Sequence, residues 1–96
     1  MEPSTSSGLK DADAVIHARP CRVMSIIAIA DGTNAATIDL YDNASAASGT
    51  LLAKIIVDAG LVYEQFHIDG GITANNGVYL DLTGTGAKAI VHYAPM

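Results

Sequence analysis

Apolar residues come in short runs along this chain, and each run is closed by residues that favour turns. The early runs are Ala14-Val15-Ile16, Val23-Met24-Ser25-Ile26-Ile27-Ala28-Ile29, Ala36-Thr37-Ile38-Asp39-Leu40-Tyr41 and Leu51-Leu52-Ala53-Lys54-Ile55-Ile56-Val57. The later ones are Val62-Tyr63-Glu64-Gln65-Phe66-His67-Ile68, Val78-Tyr79-Leu80-Asp81-Leu82-Thr83 and Ala87-Lys88-Ala89-Ile90-Val91-His92-Tyr93. Between them stand Asp31-Gly32-Thr33-Asn34, Asp42-Asn43, Ser48-Gly49, Asp58-Ala59-Gly60, Asp69-Gly70-Gly71, Asn75-Asn76-Gly77 and Gly84-Thr85-Gly86. Glycine, asparagine and aspartate tolerate the positive backbone angles of tight turns. β-Branched runs punctuated in this way predict an all-β fold, an antiparallel β-sandwich or jelly roll of about seven to eight short strands.

Alternation sharpens the prediction. Ile38 and Leu40 fall on one strand face and Thr37, Asp39 and Tyr41 on the other, while Val78, Leu80 and Leu82 oppose Tyr79, Asp81 and Thr83. The first set of each pair is expected in the core. Residues 23–29 are apolar on both faces, as for a strand covered on both sides or one whose outer face meets another subunit. Gly84-Thr85-Gly86 predicts a hairpin between the last two strands, and Asp31-Gly32-Thr33-Asn34 a hairpin turn. Residues 51–57 also fit a helical stripe with Gly60 as its stop, but the consecutive β-branched Ile55-Ile56-Val57 favour a strand.

Residues 1–11 are rich in Ser, Thr, Pro and Gly and have Leu9 as their one large aliphatic side chain after the initial methionine. They predict an extended N-terminal arm, followed by a single β-sandwich domain over 12–96. The chain has 96 residues, enough for one core. A domain of this size buries only roughly 60–65% of the surface its unfolded chain exposes, so association with further copies would stabilise it.

Ten acidic against five basic residues give a net charge of −5. Such a field repels phosphate backbones, which argues against nucleic-acid binding. The imbalance lies in residues 23–96, whereas 1–22 are neutral overall, a combination that suits an arm docking onto a neighbour. The single cysteine, Cys21, excludes an internal disulfide, and no apolar run approaches the ~20 residues of a membrane-spanning helix. The first eight residues carry neither the basic nor the apolar part of a secretion signal, so a protein made and used without export is expected.

Candidate chemistry is sparse. His17, His67 and His92 lack ligand spacing; His67 and Asp69 share a strand face, a pairing common on solvent-facing strands. Asp31-Gly32-Thr33-Asn34 lacks the ligand alternation of a calcium loop. Asp39 and Asp42 do not share a face, and no glycine-containing loop has the context of a phosphate cradle. Asn43-Ala44-Ser45 matches a glycosylation triplet. Cys21, near Arg19 and Arg22, suits a small buried apolar residue better than a reactive thiol. No catalytic, metal or cofactor residue is assigned.

The stretch Ile38-Asp39-Leu40-Tyr41-Asp42-Asn43-Ala44-Ser45-Ala46-Ala47-Ser48-Gly49-Thr50-Leu51-Leu52 resembles small virion proteins of tailed bacteriophages. In these a strand ending in Leu, an aromatic residue and Asp-Asn leads through a small-residue loop into Gly-Thr and a further strand. Gly77-Val78-Tyr79-Leu80-Asp81-Leu82-Thr83-Gly84 with Ala89-Ile90-Val91-His92-Tyr93 is similar to the closing hairpin of that group. The resemblance covers roughly residues 22–93 and implies a β-sandwich or jelly-roll virion component without enzymatic activity.

The expected function is therefore that of a capsid decoration (cement) protein in the virion, assembled in the host cytoplasm. It would form a homo-oligomer, a trimer being favoured, and contact the major capsid protein or another virion protein, with no nucleic acid, membrane or cofactor involved. Pro3, Ser4, Thr5, Leu9, Val15, Ile16, Arg19 and Arg22 are the expected interface residues. One alternative is a tail or neck adaptor or fibre-base module. Another is a carbohydrate-binding module using Tyr41, Tyr63, Tyr79, Tyr93 or Phe66 for stacking on sugars.

Overall fold

In the computed structural model, which describes residues 4–96, the described chain forms eight strands and no helix. They are β1 (Thr5–Ser6), β2 (Ala14–His17), β3 (Cys21–Ile29), β4 (Ala36–Asp42), β5 (Thr50–Val57), β6 (Tyr63–Ala74), β7 (Val78–Thr83) and β8 (Lys88–Pro95). Residues 51–57 are strand throughout.

Each strand of the first half pairs antiparallel with its mirror image in the second: β4 with β5, β3 with β6, β2 with β7, β1 with β8. Ala36 faces Val57, Ile29 faces Tyr63, Ala14 faces Leu80 and Thr5 faces Tyr93. The chain is one long hairpin bent at its midpoint and rolled up. Rolling distributes the strands into two four-stranded sheets, sheet I in the order β1-β8-β3-β6 and sheet II in the order β2-β7-β4-β5. This connectivity is that of a jelly roll.

The bend lies in the β4–β5 loop, and Asn43 organises it. Its Oδ1 accepts hydrogen bonds from the backbone N–H of Ser45 (2.9 Å) and Ala46 (3.0 Å), and its Nδ2 donates to the Ser48 carbonyl (3.1 Å). An asparagine bonded in this way substitutes for backbone turn bonds.

Period two places Ile38 and Leu40 of β4, Ile55 and Val57 of β5, and Val78 and Leu80 of β7 in the core. They meet Val23, Ile26 and Ala28 of β3 and Ala89 and Val91 of β8 from the other sheet. Leu82 is only half-buried against this cluster. No aromatic side chain among the described residues is fully buried, and many core positions are alanine, so the sheets are joined by a thin aliphatic layer.

The doubly apolar stretch at 23–29 has a local cause. Met24 is an extra residue relative to β8, because Val23 faces Tyr93 while Ser25 already faces His92. This bulge switches the parity, so Val23 and Ile26 both point inward although three positions apart. The outward residues Ile27 and Ile29 stay half-buried without a covering layer.

Several turn assignments change. Gly84-Thr85-Gly86 and Asp31-Gly32-Thr33-Asn34 are not hairpin turns, since each carries the chain from one sheet to the other. At Gly84 (φ +110°) a Cβ would strike the Ala35 carbonyl oxygen, so the chain turns too sharply there for any side chain. Asp69-Gly70-Gly71 does not end a strand. It is a bulge inside β6, in which Ile68, Asp69, Gly70 and Gly71 answer Met24 alone. The arm is tied to its own sheet: Ser7 N–H donates to Val91 O (2.8 Å) and Lys10 exchanges both backbone bonds with Ala89.

Denaturant unfolding at one fixed protein concentration tests the inside–outside assignment on neighbouring strands. Ile38→Ala costs about 2–5 kcal/mol, whereas Ile56→Ala, on the solvent side of β5, costs less than about 1 kcal/mol.

Candidate functional site

Apart from Pro3, the expected interface residues fall on or beside β1, β2 and β3 and in the segments joining them. Pro3 lies outside the described residues. Ser4, Thr5 and Leu9 are exposed along the β1 side of sheet I, with Thr5 opposite Tyr93. Val15 points outward from sheet II opposite Tyr79, whereas Ile16, partly buried, packs against the core. Strand alternation separates these two neighbours. Arg19 is exposed in the β2–β3 connection, and Arg22 sits within β3 with its side chain lying across Gly71.

A different surface gathers the exposed apolar groups. β3 lies over β4 and β5, and β6 runs beside β5. The free edges of β5 and β6 therefore fall on one side of the sandwich, and those of β1 and β2 on the other. Around the β5–β6 side, Ile56, Leu61, Val62, Tyr63 and Phe66 are each between 45 and 63% exposed. They occupy one segment, residues 56–66, that leaves β5, turns through Asp58–Leu61 (Leu61 N–H to Asp58 O, 3.0 Å) and enters β6. Sequence patterning missed this surface because the same residues read as ordinary strand ends. The available signal was Leu61-Val62 placed directly after the turn residues.

The outer faces carry polar rows. On sheet I, Ser25 lies between His67 of β6 and His92 of β8, and its Oγ is 2.8 Å from His92 Nδ1. A shallow depression of about 280 Å³ beside this row is lined by Ser4, Met24, Ser25, His67, Asp69 and their neighbours. His67 and Asp69 thus do border one space. Among the described residues no group of three or more His, Cys, Asp or Glu side chains is placed to hold a metal ion.

On sheet II, Asp81 and Asp39 are cross-strand neighbours, and Lys54 beyond them approaches Asp39 Oδ1 at 3.4 Å. Asp13 accepts the Leu82 N–H (2.8 Å) beside the same row. Burial, and then the charges of Asp13 and Asp39, push the Asp81 carboxyl above the usual carboxylate range. Asp31 shifts the opposite way, because it accepts the backbone N–H groups of Asn34 and Thr33 and the Asn34 side chain. Cys21 is fully buried, and burial, with a smaller contribution from Asp42, raises its thiol pKa. Asn43 of the glycosylation triplet is engaged in its own loop.

The aromatic side chains divide into three settings. Tyr93 packs on the core and against the His17 ring, at 5.0 Å between centroids. Tyr41 and Tyr79 are neighbours on the outer face of sheet II, flanked by Leu51 and Val15. Tyr63 and Phe66 belong to the open β6 edge.

No family model matches this chain, and no curated protein or solved structure matches it either.

Asp81 supplies a pH test. A carboxyl whose folded pKa is raised stabilises the fold most below its unfolded pKa and loses that contribution as pH rises through the folded value. Asp81→Asn therefore raises the melting temperature at about pH 7 and changes it little at about pH 3, where the carboxyls are largely protonated. Asp31→Asn has the reverse profile, lowering stability at neutral pH and mattering less in acid.

Proposed function

We propose that this chain is a non-enzymatic structural subunit of a virion, of the capsid decoration (cement) kind, which acts by packing against copies of itself and a neighbouring virion protein. The observation that carries the proposal is the set of exposed apolar side chains within 56–66, beside two strands with free edges. A small domain with a thin core gains most from covering such a surface. Jelly rolls recur in capsid and lectin domains, which supports the virion reading at the level of fold analogy. The arm, hydrogen-bonded to β8, serves as a seal on the sheet I edge, leaving the β5–β6 side for partners.

The tail or neck adaptor is the same chemistry at lower copy number. Densitometry of purified particles separates them: decoration requires a copy number matched to the capsid lattice. A carbohydrate-binding role draws on the Tyr41–Tyr79 pair, because adjacent tyrosines on a sheet face suit sugar stacking. Glycan-array binding abolished by Tyr79→Ala is the result that would favour it.

For the decoration reading, the double variant Ile56→Asp, Val62→Asp keeps a native circular dichroism spectrum but binds particles at least about tenfold more weakly, a loss of roughly 1.4 kcal/mol. Particle binding unchanged by both charges would remove the β5–β6 side from the assembly surface.

A further inference from the structure

We propose that two copies of this chain join edge to edge along β6, antiparallel, with Gln65 facing Gln65 of the second copy on a twofold axis. This deepens the assembly reading above and rests on it. The four sheet edges are not equally protected. β1 is two residues long, β2 is four residues long with an irregularity between Val15 and His17, and β5 carries Lys54 and an irregularity opposite Leu40 and Tyr41. Short length, bulges and lysines are the usual means by which edges avoid pairing. β6 is the longest strand, with twelve residues, and has no Lys, Arg or Pro along Tyr63–Ala74. Its one interruption is the bulge at Gly70 and Gly71, which leaves residues 63–67 as an uninterrupted run against β3.

That run fixes the partner and the register. It carries a single formal charge, Glu64, on a chain of net charge −5, so two copies meet along it with little repulsion. Antiparallel pairing about a twofold axis keeps outer faces together only when the paired residue numbers sum to an even value. Centring the run on itself places Gln65 opposite Gln65, Tyr63 opposite His67, and Glu64 opposite Phe66 of the second copy rather than opposite its own counterpart. The side-chain amides on the axis can hydrogen-bond each other. Tyr63 and Phe66, on the two faces of this run, are 63 and 45% exposed, and pairing would cover part of each. The self-pairing makes a twofold contact, in place of the trimer expected with the decoration reading.

The test is disulfide trapping in the full chain, with sedimentation of the unmodified protein alongside. Gln65→Cys places an exposed thiol on the axis, Thr73→Cys places one on the same strand beyond the bulge, and native Cys21 is buried. Under mild oxidation Gln65→Cys is expected to convert mostly to a covalent dimer, while Thr73→Cys stays monomeric on a non-reducing gel. Equal trapping of both, or of neither, in a chain that sediments as an oligomer would overturn β6 pairing and leave self-assembly standing. A chain that sediments as a monomer at every accessible concentration would overturn both.

Discussion

Pairing between the two halves of the chain is the constraint on which the rest of the structure depends. Thr5 meets Tyr93, Ile29 meets Tyr63, and Ala36 meets Val57, all around the loop held by Asn43. No strand pair other than β4–β5 is local in sequence. Every other ladder needs the bend to be in place, and the core forms only when the rolled hairpin brings β3 and β8 over β4. The thin layer of Val, Ile, Leu and Ala can then close without any large ring at its centre.

The same winding decides where the surface is unfinished. One side ends in the short β1 and β2, with the arm bonded to β8 at Ser7 and Lys10. The opposite side ends in the longer β5 and β6, whose outer backbone groups face no other described strand. The apolar corner at 56–66 lies there because the connection between these two strands must cross from sheet II to sheet I at that rim. The exposed apolar corner and the topology thus have one origin.

Strand identity was legible in the sequence because alternation at Ile38-Asp39-Leu40 and Val78-Tyr79-Leu80 is a local property, and local sterics set it. Residues 51–57 resolve as strand because Ile55-Ile56-Val57 are β-branched and their alternate members fit the core. Sheet membership was not legible. A glycine turn at 84–86 looks the same whether the next strand lies beside the last or across the sandwich. The Gly70-Gly71 bulge escaped for a related reason, since two left-handed glycines serve equally in a turn or within a strand opposite Met24. Of the expected interface, Val15 and Leu9 are exposed while Ile16 is turned inward by alternation. The 56–66 surface needed the adjacency of β5 and β6 to be visible at all.

The position of β8 between β1 and β3 has a consequence for biogenesis. β8 follows every other described strand, yet it lies inside sheet I. During synthesis, β3 can rest only against β6 until β8 has left the ribosome. Val91 and Ala89 must then insert beneath a half-built sheet, and β1 can dock only after β8 is in place. Such long-range closure makes folding slow relative to helical domains of similar size. Until that moment the nascent polypeptide presents unpaired strand edges, a state prone to aggregation.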